Sequence, residues 1–153
     1  MNEKFQNWLV GFTEGDGSFS VNHKKNSWSL CYKLTQSTYN IKLIYYIKKM
    51  LKVGTVSLEK ERNLISFKIR DKESIKKILF PIFDKCPLIT SKKLDYEVFK
   101  KACIILDNPT LTQHEKNILI LKLKDNLKIV KDNLSNNNFK DIENYNTISM
   151  NND

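Results

Sequence analysis

The chain has 153 residues, which is enough for one compact domain and too few for a second full one. Its 41 % hydrophobic and 28 % charged residues lie near the averages of soluble globular proteins, which argues against disorder of the whole chain. The 26 basic residues exceed the 17 acidic ones by 9, and such a positive field attracts nucleic acid or an anionic membrane surface.

The composition also bears on where the protein is made. No apolar run approaches the roughly 20 residues needed to cross a bilayer, and the N-terminus shows no signal-peptide core or Arg-rich presequence, so we expect neither a membrane partner nor import. Lysine, asparagine and isoleucine are abundant, and Arg62 and Arg70 are the only arginines. Since A/T-rich codons encode these abundant residues, the bias points to synthesis inside an organelle, mitochondrion or chloroplast, or to an A/T-rich bacterium.

Cysteine and histidine offer little chemistry. Cys31, Cys86 and Cys103 are odd in number and widely spaced, which suits neither a disulfide framework nor a CxxC zinc site, so we interpret them as reduced and structural. His23 and His114 are too few and too separated for a histidine-based nuclease or zinc site. At most, His23 is expected to touch a phosphate.

The first elements in chain order are a helix, a hairpin and a second helix. Residues 5–14 carry apolar side chains at helical spacing and end at glycines, which predicts a short helix. Alternating apolar and polar residues over 18–24 and 27–35 predict two strands joined by a turn at 25–26. Apolar residues at helical spacing then predict a helix over 38–51.

A second hairpin and further helices follow. Alternation places Val56 and Leu58 inward on one strand, and the inward side chains of the next strand are Ile65, Phe67 and Ile69. A helix capped by Asp71 is expected to run to a break at Pro81.

Two more helices complete the predicted secondary structure. One is expected to start near Thr90. The last begins at Thr112, which forms a capping box with Glu115, and runs toward Val130.

This order predicts an α+β fold with an αββαββα core and extra C-terminal helices. Residues 1–130 form the expected domain, whereas residues 131–153 are rich in asparagine and poor in core-forming residues, so we expect an unstructured, flexible tail. Four strands with one apolar and one polar face predict an antiparallel, saddle-shaped sheet whose helices cover the apolar side. The polar face is the candidate nucleic-acid surface, because strand ribbons can enter a major groove.

The candidate DNA-binding residues are mostly serines and basic residues on that polar face. They are Ser18, Ser20, Asn22, Lys24, Lys25, Ser27, Ser29, Lys33, Ser57, Glu59, Ser66, Lys68 and Arg70. Among them, Glu59 could accept a hydrogen bond from cytosine and Arg70 could contact guanine, whereas the lysines serve phosphates equally well. The alternative is that these residues simply face solvent, as one side of an antiparallel sheet often does.

The first predicted helix carries a second pattern, in the segment WLVGFTEGDGSF. Gly11 and Gly15 are four residues apart, so they share a helical face and permit close approach of another backbone. Glu14 and Asp16 lie at the helix C-terminus, where the macrodipole is already negative and carboxylates are unfavourable unless a cation is present. Carboxylates, carbonyls, water and phosphate oxygens are the ligands that Mg²⁺ prefers, so metal-assisted phosphodiester hydrolysis is a candidate chemistry.

Residues 9–17, LVGFTEGDG, resemble the signature of the LAGLIDADG homing endonuclease family. They retain the leucine, both glycines and acids at both acidic positions, followed by Gly-Ser-Phe, and the predicted elements over roughly residues 5–130 are similar to the family's core. The resemblance implies a metal-dependent endonuclease that cuts double-stranded DNA. With a single motif, it implies a homodimer acting on a long, near-palindromic site to spread its host intron.

The resemblance also implies roles within the motif. Asp16 would hold the divalent metal, expected to be Mg²⁺, with Mn²⁺ or Ca²⁺ able to substitute in binding. The main-chain carbonyl of Gly15 would be a further ligand, whereas Glu14 would cap or brace the helix interface. The residues expected at the dimer interface are Trp8, Gly11, Phe12 and Gly15.

Two further segments resemble family features. In LTQST, Gln36 would contact the metal-bound water network; in PLITSKKLDY, Lys92 would support the scissile phosphate, although Lys93 is not distinguished from it. The chain departs from some relatives at Asn40, where they place a basic residue. Two rival functions stay open: an RNA-binding intron maturase of the same fold, which intron RNA would partner, and a basic DNA-binding regulator.

Overall fold

A computed structural model describes the backbone of residues 1–150 and the side chains of residues 1–144. Six helices and four strands follow one another, with short 3₁₀ turns before α2 and between β3 and β4. The elements are α1 (Glu3–Asp16), β1 (Gly17–Lys24), β2 (Ser27–Ser37), α2 (Ile41–Leu51), β3 (Thr55–Glu59), β4 (Leu64–Ile69), α3 (Lys72–Ser74), α4 (Phe80–Lys85), α5 (Lys92–Asp107) and α6 (Gln113–Met150).

The four strands form one antiparallel sheet in the order β1-β2-β4-β3. Both predicted hairpins are present, and β2 pairs with β4 in the middle of the sheet. The expected αββαββα order and the mixed α+β class are therefore confirmed. None of the helices in residues 1–150 has the length and apolar character that a membrane span requires.

The core lies between the apolar face of the sheet and the helices. Tyr32, Leu34 and Phe67 are fully buried there, as are Ile44 and Ile47 of α2, because alternate strand residues and one helical stripe point to the same side.

An aromatic cluster occupies the centre of this core. The ring of Phe19 lies 5.2–5.3 Å from the rings of Tyr32, Phe83, Tyr96 and Phe99, which joins β1 to α4 and α5.

Two predicted helix caps are present. The Asp71 carboxylate accepts a hydrogen bond from the Ser74 N–H at 2.9 Å. At α6, the Glu115 N–H donates to the Thr112 hydroxyl at 3.2 Å, while the Thr112 N–H donates to the Glu115 carboxylate at 2.7 Å. These reciprocal bonds are those of a capping box, so the chemistry of its four residues sets the start of the last helix.

One prediction about local structure is wrong: the helical segment after Asp71 continues past Pro81 to Lys85 instead of breaking. A π-helical turn at Ile75–Leu79 precedes the proline and widens the backbone where its ring would clash with the preceding turn. Leu58 has the predicted inward register, opposite the buried Ile65, but it is 48 % exposed because it lies near the end of the edge strand β3.

The expected unstructured tail is also wrong over residues 131–150, which continue α6 without interruption. Neither glycine nor proline occurs after Pro109, so nothing in the segment ends the helix, and asparagine costs less than about 0.7 kcal/mol per helical position. Lys131 pairs with Asp95 of α5 at 2.5 Å and holds the helix against the core at that point. The part of the tail prediction that concerns residues 151–153 lies outside the described residues.

Candidate active site and nucleic-acid interface

Helix α1 passes directly into strand β1, and this junction carries the acidic end of the motif. The helix ends at Asp16, and the Gly17 N–H donates to the Thr13 carbonyl. A Cβ on Gly17 would lie 2.5 Å from Thr13 Cγ2 and 2.9 Å from its carbonyl oxygen, so only glycine permits this exit. The exposed Asp16 therefore lies at the sheet edge, next to the first residue of the strand.

A chain of amide hydrogen bonds orients the Asp16 carboxylate. Gln36 Nε2, at the end of β2, donates to Asp16 Oδ2 at 2.8 Å and to the Thr35 carbonyl at 3.1 Å. Asn40 Nδ2 in turn donates to Gln36 Oε1 at 2.9 Å. The residue that departs from some relatives thus fixes the orientation of the Gln36 amide, a role that its position in the sequence did not indicate.

Glu14 has a different environment. Its carboxylate accepts the Ile89 N–H at 2.5 Å, the Thr90 N–H at 3.4 Å and the Thr90 hydroxyl. Burial alone would raise the pKa of Glu14, but these hydrogen bonds, together with the nearby Lys92 charge, hold the pKa below its ordinary value. Glu14 therefore braces the loop before α5 against the end of α1.

The structure distinguishes the two lysines at the start of α5. The half-buried Lys92 directs its ammonium to the carbonyls of Thr13 and Glu14, at 3.0 and 3.1 Å, whereas Lys93 is exposed. An ammonium group is favourable at a helix C-terminus, where carbonyls lack intrahelical donors. Lys92 is thus the lysine that lies at the acidic end of α1.

The glycines of α1 have no packing role within the chain. A Cβ added to Gly11 or Gly15 would meet no atom within 4 Å among the described residues. Beside them, Trp8 is 39 % exposed and stacks on Phe12 with ring centroids 5.1 Å apart. Trp8, Gly11 and Gly15 are therefore exposed along one side of α1, whereas Phe12 is partly buried against the core.

The strand register groups the expected DNA-binding residues on one face of the sheet. Ser18 lies opposite Lys33, and Lys33 opposite Lys68 on the next strand. The remaining cross-strand pairs on this face include Asn22 with Ser29, Lys24 with Ser27, and Ser57 with Ser66. Ser20 lies on the same face, two residues from Ser18, as does Glu59, two residues from Ser57. Lys25 lies in the first turn, and Arg70 follows β4 directly.

Several features of this face differ from the sequence interpretation. Thr55 also lies on it, opposite Lys68, and the two-residue alternation could have found it. Ser66 is only 7 % exposed and shares a 3.0 Å hydrogen bond with Thr35. His23 lies on the opposite side of the sheet, where its ring is tilted against that of Trp28 with centroids 4.5 Å apart, so it is not on the polar face.

The donor set at Asp16 fits a divalent cation only in part. No cluster of three or more His, Cys, Asp or Glu side chains suited to a metal occurs in the described part of the chain. Asp16 offers a carboxylate, and main-chain carbonyls end the same helix, whereas Mg²⁺ takes about six oxygen ligands. One chain therefore supplies hard oxygen donors of the right kind, but too few of them without water, phosphate or a second copy.

Comparisons with known proteins agree with this arrangement. The family model described as LAGLIDADG endonuclease matches residues 9–103. The probable intron-encoded endonuclease Cox1-I1b of Schizosaccharomyces pombe is 42 % identical over 132 residues, which cover 83 % of this chain and 34 % of the relative. The probable intron-encoded endonuclease aI3 of Debaryomyces hansenii is 40 % identical over 111 residues, 69 % of this chain and 16 % of that protein.

A relative of another kind is the intron-encoded RNA maturase bI4 of Saccharomyces cerevisiae, which is 26 % identical over 132 residues, 86 % of this chain and 17 % of the maturase. The chain thus spans about one third or less of the length of these relatives.

Solved structures match at the level of the fold. The meganuclease I-SmaMI bound to uncleavable DNA superposes with a TM-score of 0.74 and 26 % identity, over 80 % of this chain and 44 % of that one. I-SmaMI bound to an uncleaved DNA target in the presence of calcium ions gives 0.70 and 25 %, over 77 % and 42 %. The signature at the end of α1, the sheet and these matches together show that the chain belongs to the LAGLIDADG endonuclease family.

Proposed function

We propose that this protein is a site-specific homing endonuclease that hydrolyses phosphodiester bonds of double-stranded DNA with a divalent metal, as a homodimer. The observation that carries the proposal is the position of Asp16, an exposed carboxylate at the end of α1, held by Gln36 and adjacent to the polar face of the sheet. The DNA site is expected to be long and near-palindromic, as two-fold symmetry requires.

The polar face has an electrostatic feature that favours a polyanion. Lys33 and Lys68 are direct cross-strand partners, and neither belongs to an ion pair in the described residues. Like charges directly opposite one another destabilise a sheet, and a phosphate between them relieves the repulsion. A solved structure with the same fold is bound to DNA, which supports DNA as the polyanion.

The side chains around Asp16 then have distinct tasks. Asp16 and the Gly15 carbonyl would hold the cation, expected to be Mg²⁺, which when bound polarises the phosphoryl group and lowers the pKa of its water. Gln36 positions the Asp16 carboxylate and reaches the water network around the site. Lys92, already at the end of α1, offsets negative charge there and supports the scissile phosphate.

The open side of α1 supports the homodimer. Gly11 and Gly15 leave room for another backbone to approach, and exposed Trp8 lies on the same side. Two copies related by a two-fold axis would bring two Asp16 carboxylates together, so each strand of the duplex meets one of them. The same arrangement completes the oxygen ligands that one chain lacks.

The origin of the chain is proposed from its relatives. The similar proteins from Schizosaccharomyces pombe and Debaryomyces hansenii are described as intron-encoded endonucleases, and another relative, from Saccharomyces cerevisiae, is described as a mitochondrial protein. We therefore place this protein inside an organelle, in the first instance a mitochondrion, where it would spread its host intron.

The second candidate function is intron RNA maturation, favoured by the similarity to the maturase bI4. Intron RNA binding without DNA cleavage in Mg²⁺ would identify a maturase, whereas both activities together would give the protein two functions.

The proposal is tested with a randomised DNA library incubated with the protein and Mg²⁺, followed by sequencing of the cut ends. We expect a near-palindromic consensus, and cleavage that chelation abolishes and Mn²⁺ restores. Light scattering of the protein on the selected DNA should give the mass of two chains. A single chain bound to an uncut duplex would contradict both the homodimer and the nuclease.

A further inference from the structure

The outer face of α2 carries several aromatic rings and positive charges that point away from the sheet. We define this outer face as Tyr39, in the turn before the helix, and Lys42, Tyr45, Tyr46, Lys49 and Lys52. Ile44, Ile47 and Leu51 are buried against the apolar side of the sheet, so the outer face points away from the sheet. A duplex on the polar face cannot reach it.

The lysines of the outer face are unneutralised. Between Gly17 and Leu58 the chain has seven lysines and no aspartate or glutamate. In the described residues, no ion pair or side-chain hydrogen bond involves the ammonium groups of Lys42, Lys49 or Lys52. On the other helices, by comparison, six lysines form ion pairs and three donate to main-chain carbonyls, while others, such as Lys93 and Lys101, are exposed.

The lysines that form ion pairs are Lys72, Lys76, Lys77, Lys85, Lys100 and Lys131. The lysines that donate to main-chain carbonyls are Lys92, Lys116 and Lys124.

The tyrosines of the outer face are unusually accessible. Tyr39 is 97 % exposed, Tyr45 55 % and Tyr46 47 %. Tyr46 has an edge contact with Phe5 at 5.8 Å, but the rings of Tyr39 and Tyr45 have no ring contact or hydrogen bond in the described part of the chain. Exposed rings interleaved with cations bind unpaired bases and the phosphates that join them.

We propose that the outer face of α2 binds single-stranded RNA, at a site separate from the DNA-binding face. From Tyr39 to Lys52 the helical rise spans about 20 Å, which accommodates several nucleotides. RNA is favoured over single-stranded DNA because its 2′-hydroxyl can both donate to and accept from the exposed tyrosine hydroxyls. A membrane surface is disfavoured, because the apolar stripe of α2 is already buried and cannot insert into lipid.

The test measures fluorescence anisotropy with a labelled, unstructured RNA of about 12 nucleotides. The variant is Tyr45→Ala combined with Lys49→Gln, since both side chains are exposed and lack partners. We expect the RNA Kd to rise at least about 10-fold from the loss of one stack and one charge, with duplex binding and cleavage unchanged. Tyr45→Phe alone should retain most of the RNA affinity, because stacking needs only the ring, but it should reduce the preference for RNA over single-stranded DNA, because it removes one hydroxyl partner of the 2′-hydroxyl.

Matched controls separate this site from the DNA groove and from general charge. Phe139→Ala combined with Lys101→Gln removes one exposed ring and one exposed charge elsewhere, and should leave RNA binding unchanged. Lys33→Gln combined with Lys68→Gln should weaken duplex binding and not RNA binding. Because duplex cleavage is measured in parallel, failure of the RNA site and failure of the nuclease are distinct results.

Four outcomes would overturn the proposal. These are RNA binding that the α2 variant does not change, RNA that a target duplex displaces competitively, equal affinity for single-stranded DNA of the same sequence, and binding to vesicles of phosphatidylcholine and phosphatidylserine in place of RNA. RNA binding lost with the α2 variant, and retained by the groove variant, supports it.

Discussion

The two sides of the last turn of α1 differ in how many of their groups form contacts within the chain. On one side, Glu14 accepts hydrogen bonds from Ile89 and Thr90, and Lys92 donates to the carbonyls beside it. On the other side, Gly15 faces open space and the exposed Asp16 accepts one amide. The first side stabilises the fold, whereas the chain leaves the second side open, and it is there that we propose metal and a second subunit to bind.

The largest expected effect is that of replacing Asp16, which distinguishes its role from that of Glu14. Asp16→Asn removes the anionic metal ligand but keeps the side-chain shape, so we expect cleavage to fall by at least about 10³-fold with DNA binding retained. A gel assay for cleavage and a mobility-shift assay for binding check this. The exposed Asp125→Asn on α6 is the matched control, and normal cutting by Asp16→Asn would sink the assignment.

The next effect concerns the exposed side of α1 that carries Gly11. Gly11→Leu fills space that is empty in one chain, so the thermal stability of the monomer should hardly change. If a second helix packs there, the dimer dissociation constant should rise by roughly 5- to 150-fold, because overpacking costs about 1–3 kcal/mol. Analytical ultracentrifugation measures both states, and an unchanged dimer would show that the subunits meet elsewhere.

Replacing Gln36 tests how much the orientation of the Asp16 carboxylate contributes to cleavage. Gln36→Leu removes the donor to Asp16, and loss of a group that orients a metal ligand costs about 10- to 100-fold in activity or metal affinity. Cleavage should therefore need more Mg²⁺, which a titration of the metal against rate would reveal. Cleavage at wild-type Mg²⁺ concentrations would leave Gln36 as a strand-end residue only.

The lowered pKa of Glu14 allows a test of the side on which Glu14 and Lys92 are hydrogen-bonded within the chain. Its folded-state pKa is lowered, so the ionised carboxylate stabilises the fold at neutral pH, and this contribution is lost as the pH falls through that value. Glu14→Gln should reduce the free energy of unfolding by about 1 kcal/mol at pH 7. The difference from wild type in urea denaturation should shrink below about pH 4.5, the ordinary value. A constant difference would exclude the ionised form as the cause.

The smallest expected effect is that of Asn40→Ala. It removes the amide that fixes Gln36 Oε1 at 2.9 Å, and the net value of one such hydrogen bond corresponds to a factor of about 2–10. Single-turnover cleavage at limiting Mg²⁺ measures this loss. A larger loss of cleavage than that caused by Gln36→Leu would contradict the proposal that Asn40 acts on Asp16 through Gln36.

The sequence predicted what local chemistry determines. The capping box at Thr112 and the strand alternation depend on neighbours within a few residues, so their positions could be read directly. The contacts of Glu14 with Ile89 and Thr90 join residues 75 and 76 positions apart, and only the folded chain reveals them. For the same reason, spacing alone could not distinguish Lys92 from Lys93.

The wrong predictions have a common physical cause. Composition suggested that residues after 130 would be unstructured, but helix continuation depends on the absence of terminators. Pro81 was expected to end its helix, yet a wider turn before it removes the clash. Both errors come from applying a rule of local sequence where neighbouring backbone geometry decides.

The glycine at position 17 has one more consequence. Because β1 begins at the residue after Asp16, no flexible segment separates the proposed metal ligand from Ser18, the first residue of the polar face. In the proposed nuclease, covalent geometry at this junction would set the distance between the broken bond and the first base contacted. A one-residue insertion here would change that distance and turn every β1 side chain to the opposite face. Substitutions along the strands would then change target preference while the cutting position stays constant.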